Sequence, residues 1–130
     1  EAIAVDPVSG IVYETEDAGS TTSGFYRFLP NQPGNLAAGG RLQMLAVDGR
    51  PQLNTGAGGI PPFMPLPARW VDIADPDPNL EGGRPTCFQQ GLALGGARFA
   101  RLEGCWWGDD SVYFNATSGG AIGAGQVWQY

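Results

Sequence analysis

The 130-residue sequence contains no histidine, and all seven of its basic residues are arginine, so lysine is absent too. Without an imidazole there is no Ser-His-Asp triad, no His general base and no His-ligated zinc. The glycine run Gly119–Gly125 is followed by no Lys-Ser/Thr and no helix signal, which rules out a Walker-type phosphate loop and leaves a hairpin loop. Cysteine is scarce: Cys87 and Cys105 are too few for a zinc site and are either a disulfide or two free thiols. Positive charge is scarce as well. Thirteen acids against seven arginines give a net charge of -6, which argues against nucleic acid as a partner. Any metal would be held by carboxylates, backbone carbonyls or thiols, and oxygen ligands favour hard cations such as calcium. No stretch is long and apolar enough to read as a membrane span.

What is present is a repeat. Glu1–Asp6, Ile11–Asp17 and Gly24–Phe28 form one series; Glu103–Asp109, Ser111–Thr117 and Gln126–Tyr130 form another. Each opens on a glutamate, turns at Asp/Gly, presents a Val-Tyr strand and closes on an aromatic strand. Setting Tyr13 against Tyr113 aligns them. Self-similar short strands with frequent turns predict an all-β array, a β-propeller or a relative of one. A blade takes roughly 40–50 residues, so the chain is expected to cover about two blades plus an insertion. The expected division is residues 1–130 as a partial propeller. Segments 1–30 and 99–130 are repeat-like, and connecting strands and an irregular loop occupy 31–98. A piece of a longer protein, or a chain whose copies assemble, is the expectation.

The alternation of apolar residues predicts strands over Ala2–Asp6, Ile11–Thr15, Phe25–Phe28, Arg41–Val47, Trp70–Ala74, Phe99–Glu103, Cys105–Trp107, Val112–Ala116 and Val127–Tyr130. Pro51–Pro67 reads as a surface loop anchored by Phe63, Met64 and Leu66. Thr86–Leu94 is the one helical candidate, with Pro85 near its start and Gly95-Gly96 at its end. Trp106, Trp107 and Trp128 read as packing between blades, or else as a stacking surface.

The segment from Gly96 to Asp109 is the richest in chemistry. Arg101 and Glu103, two apart on the predicted strand, would share a face. An arginine beside a metal-holding carboxylate suits a phosphoryl group, since the guanidinium forks onto phosphate oxygens; the same pair is also a common surface ion pair. Glu1 heads the matching strand of the first copy, and the repeat predicts that its carboxylate approaches that of Glu103 closely enough to share a metal. Glu14, Glu16 and Asp17 are either calcium ligands or a solvated edge. Asp72, Asp75 and Asp77 read first as a strand stop.

The run Ala100-Arg-Leu-Glu-Gly-Cys-Trp-Trp-Gly-Asp109, with Val112-Tyr-Phe, Thr117-Ser-Gly-Gly120 and Gly125–Tyr130, resembles the PhoX-type alkaline phosphatases. So does Glu1–Pro7 with Val12-Tyr, Thr15-Glu-Asp17 and Gly24–Phe28. The resemblance spans most of the chain and weakens between Gln52 and Pro85. It implies a six-bladed propeller with calcium and iron on its axis, a phosphate-ester substrate and a periplasmic or secreted location. It makes Glu1 and Glu103 metal ligands and Arg101 the phosphate-contacting residue, with Glu16 and Asp17 as a possible second tier. It implies that further ligands lie outside this stretch. The expected function is a metal-dependent phosphomonoester hydrolase; the alternative is a secreted, non-catalytic propeller with structural calcium that binds a protein or glycan.

Overall fold

In the computed structural model, which describes all of residues 1–130, side-chain alternation sets the architecture. Five strands form one antiparallel meander: β1 (Ile3–Val5), β2 (Val12–Thr15), β3 (Phe25–Pro30), β4 (Gly40–Val47) and β5 (Ala68–Asp72). After the helix α1 (Cys87–Ala93), three strands form a second: β6 (Leu102–Gly108), β7 (Ser111–Ala116) and β8 (Gln126–Gln129). The protein is thus mostly β, as expected. Both sheets are open, and no closed barrel or propeller is formed.

Cross-strand register explains why the first sheet buries both faces. Thr15 pairs with Phe25, and Leu45 with Trp70, so these side chains share one face with Tyr13 and Val47. That face meets Leu102, Val112, Phe114 and Ala116 of the second sheet in one apolar core. Phe25 and Phe114 stack across it with ring centroids 3.7 Å apart, a geometry that adds to the burial of apolar area. Tyr26, Met44 and Val71 stand on the opposite face, where Phe88 of α1 covers them in a second core.

The helix forms where expected. Thr86 caps it, accepting from the Gln89 amide while the Gln89 side chain accepts from the Thr86 amide. This reciprocal box satisfies two amides that a short helix otherwise leaves unpaired. The Asp109-Asp110 hairpin has positive φ at both residues, 47° and 54°, the conformation that matches strand twist in a two-residue turn.

Three expectations are corrected. The strand expected over Phe99–Glu103 forms only at its end: Phe99 makes an isolated bridge to Ser23, Ala100 and Arg101 lie outside any strand, and β6 begins at Leu102. Trp106 does not fill an interior but is 73% exposed, while Trp107 and Trp128 pack on the core. In the Pro51–Pro67 loop, Leu66 packs on the core but Phe63 is fully exposed, its backbone at φ 61° turning it outward.

Gly91 on α1 faces Met44 so closely that a Cβ there would overlap the Met44 side chain. Alanine is the better helix former by about 1 kcal/mol, yet Gly91→Ala is expected to destabilise by about 1–3 kcal/mol through overpacking. Chemical denaturation tests this: a stabilised variant would show that the Met44 contact yields easily.

Candidate functional site

The two sheets touch at their first strands, and a single hydroxyl ties them there. Thr15 is fully buried at the end of β2. Its Oγ1 accepts from the Ala2 amide at 2.9 Å and donates to the Glu103 carbonyl on β6. The Thr15 amide donates in turn to the Ala2 carbonyl. The starts of β1 and β6, and so Glu1 and Glu103, are held side by side.

Four candidate residues meet at this seam. The Glu1 main-chain nitrogen lies 3.4 Å from Glu103 Oε2. Arg101 Nη2 lies 3.3 Å from Asp17 Oδ2 and 4.0 Å from Glu103 Oε1. Asp17 is the most covered of the four, and the other three side chains are 42–69% exposed, so these pairs contribute little to stability. Arg101 and Glu103 meet, though not because they alternate along a strand. Arg101 precedes β6 in a left-handed conformation, φ 51°. Its amide donates to the Gly19 carbonyl at 3.0 Å, and its carbonyl accepts from the Thr117 amide at 2.9 Å and hydroxyl at 3.1 Å. Three backbone contacts therefore hold a strained residue whose side chain reaches Asp17 and Glu103. Strain of this kind costs on the order of 1–3 kcal/mol and clusters at functional sites.

Glu16 does not join the group. Its Oε2 accepts from the Gly24 amide at 3.1 Å and the Tyr26 hydroxyl at 2.6 Å. Burial raises its pKa above the ordinary 4.5; the two hydrogen bonds oppose this, and the nearby Glu14 and Glu1 charges add to it. Burial also raises Glu14, with Glu1 adding. Desolvation and then Glu16 raise Tyr26.

The remaining candidates lie apart. Asp72 accepts from the Gln43 side chain at 2.6 Å, with Arg41 at 3.7 Å, and Asp75 pairs with Arg84 at 2.9 Å. Cys87 and Cys105 are free thiols. They pack on different cores, which is why no disulfide joins them. Burial raises both, Cys105 to about 11, so neither is an activated nucleophile at neutral pH. Nowhere do three or more Asp, Glu or Cys side chains converge as a metal cage. Thr15 and the strained Arg101 backbone went unnoticed in the sequence, since neither a buried threonine in a strand nor a left-handed arginine has a local signature.

A comparison with protein-family models finds that Alkaline phosphatase PhoX matches residues 1–130, the whole chain. No curated protein and no solved structure matches.

Thr15→Val keeps the shape and removes the hydroxyl, leaving the Glu103 carbonyl and the Ala2 amide short of a partner. A loss of about 1–3 kcal/mol is expected in denaturant titration; an unchanged midpoint would mean the seam does not depend on this contact. Glu16 makes a separate prediction about pH. A carboxyl raised on folding binds its proton more tightly in the native state, so its stabilising effect is complete below the ordinary 4.5 and is lost as pH rises through the raised value. Glu16→Gln still accepts from Tyr26 but cannot ionise. Its melting temperature, measured from pH 4 to 8, should fall less steeply with rising pH than that of the wild type.

Proposed function

The chain belongs to the PhoX alkaline phosphatase family, and we propose that it carries the phosphate-handling part of a metal-dependent phosphomonoester hydrolase. The observation that carries this reading is the meeting of the Asp17, Arg101 and Glu103 side chains at one seam, with the Glu1 main chain beside Glu103. Arg101 has five N–H donors in a fixed fork. Its side chain is half exposed, and the donors that do not face Asp17 are open to a phosphate oxygen. Its backbone strain pre-aims the fork, so little order is lost on binding.

The charges around it require a cation. Asp17 and Glu103 outweigh the single Arg101 guanidinium and repel a phosphate dianion unless something neutralises them. The donor chemistry fits part of a metal centre: carboxylate oxygens suit calcium and, with imidazole absent, are the hard ligands on offer for iron. Calcium alone needs about 6–8 oxygens, more than these side chains supply, so the remaining donors would come from outside the 130 residues. Glu1 and Glu103 would hold the cation, which when bound neutralises phosphate charge and polarises the P–O bond. Arg101 would orient the ester and take up charge on its equatorial oxygens, and Asp17 would keep the guanidinium in place.

A propeller gives this site its setting. Tyr13 on β2 points into the interface between the sheets, while Tyr113, its counterpart in the repeat, stands on the face of β7 opposite Phe114 and so points away from it. Two sheets related by rotation around an axis have this sense; a two-fold sandwich would turn both inward. Segments 1–30 and 99–130 are then matching parts of two blades, completed by further blades of the protein or by other copies. A periplasmic or secreted location goes with this reading. No helix is long and apolar enough to cross a membrane.

The test uses purified protein and p-nitrophenyl phosphate, with chelation and metal restoration. Arg101→Ala is expected to lower kcat about 10²–10³-fold with little change in folding. Arg101→Gly should lose activity equally and match or exceed wild-type stability, because glycine accepts φ 51° without strain. Full turnover by Arg101→Ala would remove the arginine from the mechanism. A protein that binds calcium and a glycan or protein but hydrolyses nothing would instead be a binding module.

A further inference from the structure

Just beyond the charged seam, β1 and β6 change character. Ile3, Ala4 and Val5 on one strand and Cys105, Trp106 and Trp107 on the other line an open groove of about 230 Å³ with no charged side chain in it. Ile3 is 64% exposed and Trp106 73%. An open apolar groove of this kind offers a surface for one face of an aromatic ring. The groove begins where the anion-handling residues end. Ile3 lies two residues from Glu1, roughly 7 Å along an extended strand. Trp106 lies three residues from Glu103 on the same β6, whose bulge between Leu102 and Cys105 shortens the path.

We propose that this groove receives the organic group of the ester, and that the preferred substrates are aryl or other flat apolar phosphomonoesters rather than polyol phosphates. The inference rests on the phosphatase reading above. A phosphate held at the seam would send its organic group along β1 and β6 toward the groove, roughly 7 Å from Glu1 to Ile3. The groove has no charged side chain to bind the hydroxyls of a sugar or glycerol moiety. Trp106 supplies a flat, exposed face on which a ring can stack.

The experiment compares 1-naphthyl phosphate with glycerol 3-phosphate in the intact protein, for wild type, Trp106→Ala and Trp106→Phe. Taking each variant relative to wild type on the same substrate removes the difference in leaving groups. Trp106→Ala is expected to raise KM for the naphthyl ester about tenfold, to leave glycerol 3-phosphate unchanged, and to be largely rescued by Trp106→Phe. Because Trp106 is exposed, the variant should fold as the wild type does. Equal effects on both substrates, or no effect on either, overturn the groove while the phosphatase reading stands. If the wild type hydrolyses neither ester, the phosphatase reading fails, and binding of 1-naphthyl phosphate by calorimetry decides the groove separately. Binding weakened by Trp106→Ala supports it; absent binding or binding indifferent to Trp106 overturns it.

Discussion

The buried hydroxyl of Thr15 is the contact on which the arrangement depends. Two open sheets can slide and splay on an apolar interface, because hydrophobic contact is not directional. A hydroxyl that accepts from β1 and donates to β6 is directional, and in a dry setting both bonds are costly to lose. The aromatic stack of Phe25 on Phe114 brings the sheets together; Thr15 sets which residues lie opposite which. Glu1 and Glu103 become neighbours for that reason.

At the same seam the chain accepts two unfavourable features. Arg101 sits in a backbone region better suited to glycine, and two carboxylates share one guanidinium. Neither feature helps folding, and exposed ion pairs repay little. Arg101 is held by hydrogen bonds to Gly19 and Thr117, both remote from it in sequence. Local strain maintained by distant contacts is more readily understood as preparation for a ligand than as a folding device.

The opposite face of the first sheet works differently. Glu16 there serves Tyr26 and the Gly24 amide, a carboxylate used to satisfy buried donors. Its neighbour Asp17 points the other way and reaches Arg101. Adjacent acids in one acidic run thus have unrelated tasks, because successive side chains near a strand end leave on opposite sides. The same separation keeps Cys87 and Cys105 in different cores.

Much of the fold was legible in the sequence. Period-two alternation, turn residues and the Thr86 start signal located the strands and the one helix to within a few residues, because these signals are local. The repeat and the terminal motifs point to the family, and the missing histidine and lysine narrow the chemistry. The tertiary structure decided the rest. It separated Asp17 from Glu16, joined Asp17 to Arg101 across 84 residues, delayed the strand expected from Phe99 until Leu102, and exposed Trp106 beside a groove. Each of these turns on which face of a sheet meets which neighbour, and on a backbone angle stabilised by remote carbonyls. Such outcomes are set by contacts between distant segments, for which a local pattern of residues carries no signal.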